Sequence, residues 1–160
     1  MFRHARKLAV AAMISATALV LAGLPTLAEA GVARRPITGV GYVQGVGWTA
    51  PSVVIGSTGQ SRALTAIRLD GYPVSYTVSV IGVGWTRRAY VGEVAGTAGG
   101  AQLQAIRIYL DPTAAEWGSI RYRCHVQDWG WGPWVADGRG CGNKVGLRLE
   151  AVEVQYTPRG

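Results

Sequence analysis

Two hydrophobic patterns divide the chain. From Leu8 to Leu24 the residues are uncharged, rich in Ala, Leu and Val, and do not alternate. Later segments behave differently. Tyr76-Thr77-Val78-Ser79-Val80 and Tyr122-Arg123-Cys124-His125-Val126 show the period of two that a half-buried strand requires. Leu64-Thr65-Ala66-Ile67-Arg68-Leu69, Leu103-Gln104-Ala105-Ile106-Arg107-Ile108 and Leu149-Glu150-Ala151-Val152-Glu153-Val154 set apolar residues at short spacing and also read as strands. Only the stretch from Asp111 to Gly118 suits a short helical turn.

These segments recur in order. Gly45-Val46-Gly47-Trp48 and Gly82-Val83-Gly84-Trp85 are the same tetrad, and Asp128-Trp129-Gly130-Trp131 is its third form. Each is followed by a Gly-rich turn (Gly56-Ser57-Thr58-Gly59, Gly96-Thr97-Ala98-Gly99-Gly100, Gly138-Arg139-Gly140-Cys141-Gly142) and then by one of the three Leu-x-Ala strands. The spacing between the tetrad tryptophans is 37 and then 46 residues, the extra length lying around Asp111–Gly118. Three copies are expected, over about 37–69, 74–110 and 120–156. One copy has room for three or four short strands and cannot bury its own apolar face, whereas three can share an axis. The glycines before each Trp supply the positive φ angles that tight hairpins need. The expected fold is therefore all-β, a three-fold pseudo-symmetric β-prism-like domain, with a β-trefoil as the alternative.

The N-terminal apolar run changes the picture of where the fold begins. Arg3, Arg6 and Lys7 precede it and Ala28-Glu29-Ala30 follows it, the layout of a secretory signal peptide cut after Ala30. Pro25 closes the run short of the roughly 20 apolar residues a membrane span needs. The expected organisation is a signal peptide over 1–30 and one β domain over 31–160. The mature protein is expected to be secreted, with no membrane insertion after cleavage, and held at a cell surface only by what it binds. Without Arg3, Arg6, Lys7 and Glu29, the 16 basic and 9 acidic residues become thirteen and eight, a net charge of +5. That charge is spread out, with doublets only at Arg34-Arg35 and Arg87-Arg88, which argues against nucleic acid as a partner. Outside the cell, the two cysteines, Cys124 and Cys141, suggest a disulfide.

The third copy closely resembles the clostridial hydrophobic W repeat. The residues that carry the likeness are Tyr122-Arg123-Cys124-His125-Val126-Gln127-Asp128-Trp129-Gly130-Trp131, Trp134-Val135-Ala136-Asp137-Gly138 and Leu147-Arg148-Leu149-Glu150-Ala151-Val152. Copies one and two are degenerate. They lack the second Trp and the Asp-Gly pair, and copy two offers Tyr90-Val91-Gly92-Glu93 at that place. The resemblance implies an exported bacterial surface or extracellular protein that binds polysaccharides or other proteins.

Catalysis is not expected. His125 is the one histidine beyond the signal peptide and sits within a strand, no serine lies in an elbow-like motif, and the eight mature carboxylates form no recognisable facing pair. No cofactor and no metal site are expected. Trp48, Trp85 and Trp131 hold equivalent positions and are expected to build the shared core. Trp117, Trp129 and Trp134 occur in one copy each, and such rings offer flat apolar area with a polar edge. With Gln127 and Asp137 they form the candidate ligand site. Asp137-Gly138 also reads as a turn, as does Asn143-Lys144. The expected function is a secreted non-catalytic binding module for a glycan or cell-wall polymer. The alternative is an extracellular structural or protein-interaction protein, a surface component or an inhibitor, without a sugar site.

Overall fold

A computed structural model of the chain describes residues 36–142 and 146–159. The expected signal peptide and the Asn143-Lys144 turn lie outside these residues. The described chain is nearly all β, in three antiparallel sheets, as the alternation requires. The first unit contains β1 (Thr38–Val43), β2 (Gly47–Trp48), β3 (Val54–Gly56) and β4 (Leu64–Asp70). The second contains β5 (Val74–Val80), β6 (Gly84–Trp85), β7 (Ala89–Tyr90), β8 (Val94–Gly96) and β9 (Leu103–Leu110). A one-and-a-half-turn helix, α1 (Pro112–Trp117), follows where the short helical turn is expected. The third unit contains β10 (Gly118–Val126), β11 (Gly130–Trp131), β12 (Val135–Ala136), β13 (Cys141–Gly142) and β14 (Leu149–Pro158).

The same pairing occurs in each unit. Its long first strand runs antiparallel to its long last strand, β1 to β4, β5 to β9 and β10 to β14. Each ladder slips at one place, between Tyr42 and Val43, Ser79 and Val80, and His125 and Val126. The first strand then turns back through the tetrad, so that Trp48 pairs with Tyr42, Trp85 with Ser79 and Trp131 with His125. Gly45 and Gly47 take φ of 75° and 103°, and Gly82 and Gly84 take 79° and 95°. In the third unit Asp128 occupies the first of these positions at φ 61°, one of the few residue types that tolerates it.

The units also exchange strands, which the sequence pattern does not announce. β8 of the second unit pairs with β4 of the first, β13 of the third with β9 of the second, and β3 of the first with β14 of the third. The exchange therefore closes on itself, with early and late segments joined in one ladder. Every exchanged strand ends on a glycine of positive φ: Gly56, Gly96 and Gly142. Each lies opposite an alanine (Ala151, Ala66 and Ala105), and a Cβ there would collide with the backbone carbonyl preceding that alanine. The Gly-rich turns are thus closure points. The third-unit member of this set is Gly142, whereas Gly138 matches Gly92: their amides donate to Ile108 and Leu69, respectively.

The disulfide expected from the cysteine count is present, linking Cys124 on β10 to Cys141 on β13. The equivalent pairs are Gly41 with Ile55 and Val78 with Ala95, so one inter-sheet contact is filled in three ways. In the first unit a Cβ on Gly41 would press on Ile55. Small meets large there, large meets small in the second unit, and a covalent bridge serves in the third.

The core gathers Ile, Leu and Val from all three sheets around two fully buried tyrosines, Tyr76 and Tyr122. Each bridges two units. The Tyr76 hydroxyl accepts from the Leu69 amide (3.0 Å) and donates to the Glu93 carbonyl. The Tyr122 hydroxyl accepts from the Ile108 amide (3.0 Å) and donates to the Arg139 carbonyl. In the first unit the matching residue is Gly39, and the loop closes in so that the Val53 carbonyl takes the Val154 amide (3.0 Å) directly. Burial, foremost, pushes both phenols up to about 12. The ionised phenolate is thus disfavoured in the folded state. Their contribution is complete below the unfolded pKa of about 10, and is lost as pH rises through the folded value. Denaturant unfolding at pH 7 and pH 11 is expected to show stability falling at the higher pH by on the order of 2 kcal/mol for the two tyrosines together, and less in the Tyr76→Phe variant. Equal stability at both pH values would contradict their bridging role.

Candidate functional site

Site geometry follows from how β10 alternates. Ile120, Tyr122, Cys124 and Val126 point into the core, which leaves Arg121, Arg123 and His125 on the outer face. Residues opposite one another share a face, so Trp131, paired with His125, also lies outside. This corrects the expectation that the three tetrad tryptophans form the core. Trp48 is 45% and Trp85 38% exposed, and Trp131 is half-buried. Unbroken alternation along each first strand turns Val43, Val80 and Val126 inward, and the hairpin register sets each Trp opposite the outward residue before them, Tyr42, Ser79 or His125. The repeated aromatic work in the core falls to Tyr76 and Tyr122. Their signal in the sequence is a 46-residue spacing, the same as that between Trp85 and Trp131.

On the outer face of the third unit, rings and cations alternate. His125 meets Trp131 edge-on at 5.3 Å. The Arg123 guanidinium lies 4.7 Å from the Trp131 ring and 4.7 Å from the Trp134 ring, and Arg121 lies 4.8 Å from Trp134. β14 supplies counter-charges: Arg123 pairs with Glu153 at 2.7 Å, and Arg121 donates to Gln155. Beneath them, buried Glu150 pairs with Arg148 at 3.0 Å and lies 3.1 Å from His125 Nδ1, without hydrogen-bond angle. The outer cations and rings of this array are engaged with one another, while His125 Nδ1 and Arg148 Nε beneath them are buried without a hydrogen-bond partner among the described residues. The ring of Trp134 is stacked with two guanidiniums, which works against its use as an open ligand platform.

The inner edge of the same hairpin is open. A groove of about 430 Å³ lies between β11, β12 and β13. Val126, Val135 and the Cys124–Cys141 bridge line it together with Trp129, Trp131 and Pro133. Trp129 is 66% exposed, the highest value among the tryptophans. No side chain of the lining residues is ionisable, since both cysteines are bridged.

The other expected site residues are placed elsewhere. Asp137 accepts a hydrogen bond from the Leu110 amide at 2.8 Å and borders a smaller hollow of about 180 Å³ with Ile120, Ala136 and Arg159. Asp137-Gly138 does form a turn, closed by the Arg139 amide on the Ala136 carbonyl at 3.1 Å, but the carboxylate ties the third unit to the second instead of capping its own backbone. Gln127 is half-buried, its backbone N–H donating to the Arg148 carbonyl. Trp117 ends α1, is 59% exposed, and lines none of these hollows. The five residues expected to converge are therefore divided among separate places, and only Trp129 lines the groove.

Comparison with known proteins gives one match. Residues 125–158, which run from His125 through β14, match the family described as Clostridial hydrophobic W. No curated protein and no solved structure matches the chain.

Proposed function

We propose that this chain is an exported, non-catalytic binding module built from three copies of the Clostridial hydrophobic W repeat, and that it recognises a glycan or cell-wall polymer through the third copy. The recurrence of pairing, slip and turn in three units supports the copy number, and the closed exchange of strands among three sheets suits a prism. The observation that carries the reading is Trp129, a largely exposed indole beside a groove that also presents Trp131 and Pro133. The apolar face of a sugar ring stacks on such surfaces while its hydroxyls stay hydrated or reach backbone groups. The non-catalytic reading is supported by the employment of the acids: Asp70, Glu93, Glu150 and Glu153 pair with Arg or His, and Asp111 and Asp137 cap backbone amides.

Retention of the mature protein on insoluble cellulose, chitin, xylan and bacterial cell wall checks this. Wild-type protein is expected to be retained on at least one of them. Trp129→Ala is expected to weaken retention by about tenfold, the loss of one aromatic anchor, and Trp134→Ala much less. A second reading, a protein-interaction module, is favoured by one feature: the groove lining has no charged or amide side chain. Absence of retention on every polymer, with capture of one secreted protein through Trp129, would replace the first reading by the second.

A further inference from the structure

The second unit has a different open surface. Where β5 begins and β9 ends, a groove of about 360 Å³ is lined by Tyr90, Arg88, Asp111, Ser75, Val91 and Pro112, among others. Tyr90 is 61% exposed although it lies in β7, paired with Ser75, and its ring makes no aromatic or cation contact among the described residues. Arg88 is oriented by stacking, its guanidinium 3.9 Å from the Tyr109 ring. Arg68, Arg87, Arg123 and Arg148 each have a carboxylate partner, whereas Arg88 has none among the described residues. Asp111 caps α1 through Oδ1, which accepts from the Thr113 amide and hydroxyl. The Ala114 amide also faces this carboxylate, and Asp111 is exposed, so acceptor positions on its two oxygens remain open to the groove.

We propose that this groove is a second carbohydrate site, for a neutral pyranose bearing adjacent hydroxyls. The inference rests on the reading of the chain as a glycan-binding module and deepens it. Tyr90 offers the stacking face. Arg88 only donates hydrogen bonds and ionised Asp111 only accepts them, so together they match two neighbouring hydroxyls, each of which can do both. The two charges cancel, which favours an uncharged sugar over a uronate or phosphate.

The third unit shows what the site lacks elsewhere. Its corresponding hollow has Ala136 in the place of Tyr90 and Asp137 in the place of Val91, with the Asp137 carboxylate already bonded to Leu110. The two units thus carry their exposed rings at different ends of their hairpins. A polymer long enough to reach both gains avidity without new contacts.

Calorimetric titration of the mature protein with hydroxyethylcellulose, arabinoxylan, laminarin and galactomannan tests the site. Wild type, Tyr90→Ala, Asp111→Asn and Trp129→Ala are compared, with thermal melts to verify folding. The expected result is binding to at least one polymer, weakened roughly tenfold by Tyr90→Ala and by Trp129→Ala, and roughly a hundredfold by the double variant. Binding by wild type that Tyr90→Ala and Asp111→Asn both leave unchanged would overturn the second site and leave the third-unit groove standing. No binding of any of the four polymers by wild type would overturn the neutral-sugar assignment. If cell wall still retains the protein in that case, only this site falls; if nothing does, the glycan reading falls with it.

Discussion

Gly96→Ala is expected to destabilise the folded protein by about 2–5 kcal/mol, a large part of the 5–15 kcal/mol typical of a domain. Two effects add. The backbone at φ 84° lies where a Cβ costs roughly 1–2 kcal/mol. That Cβ would also overlap the Thr65 carbonyl and crowd Ala66 and Leu103, which adds about 1–3 kcal/mol of overpacking. The Thr65 carbonyl is itself the acceptor for the Thr97 amide at 3.0 Å, so relief by movement would break the closing ladder. Gly84→Ala is the matched control. Its φ is 95°, but nothing lies within 4 Å of the added carbon, so the cost should be only the backbone share, roughly 1–2 kcal/mol. Denaturant midpoints measured with the disulfide intact separate the two. Equal losses would mean that close approach at the strand exchange is not what requires glycine.

Removing the bridge is expected to cost a comparable amount. With 17 residues separating Cys124 from Cys141, replacement of both by alanine should destabilise by about 3 kcal/mol from chain entropy, and the packing lost at a buried inter-sheet contact adds to this. The other units suggest a partial remedy. The second unit fills the same contact with Val78 and Ala95, so Cys124→Val with Cys141→Ala should be more stable than the double alanine variant by about 1 kcal/mol. Identical midpoints for the two double variants would show that the three inter-sheet contacts are not equivalent. Because the bridge lines the groove beside Trp129, the same variants should also weaken polymer retention.

Much of the local structure was readable from residue order. The Gly-x-Gly-Trp turns, the alternating strands at Tyr76 and Tyr122, the short helix at Pro112 and the cysteine pairing all depend on nearby residues or on composition. Even the alignment of Tyr90-Val91-Gly92-Glu93 with the Asp137-Gly138 turn holds, since Gly92 and Gly138 make equivalent amide bonds. The strand exchange was not readable. β3, β8 and β13 have two or three residues each, too few for a period, and β3 pairs with a strand almost a hundred residues later. The tryptophans were misplaced for a related reason. A one-residue change of register reverses which face a side chain takes, and the two-residue strands that set Trp48, Trp85 and Trp131 opposite Tyr42, Ser79 and His125 are likewise too short to show a period. The site suffered most. Trp129 and Trp134 are neighbours in sequence but lie in different surroundings, one beside an open groove and the other among arginines.

The most direct test of the binding account is to label the six tryptophan indoles with ¹⁵N and add a soluble oligosaccharide of whichever polymer retains the protein. The Trp129 and Trp131 indole signals are expected to shift in a saturable way while those of Trp117 and Trp134 stay in place. Saturable shifts at Trp117 or Trp134, with Trp129 unmoved, would contradict it.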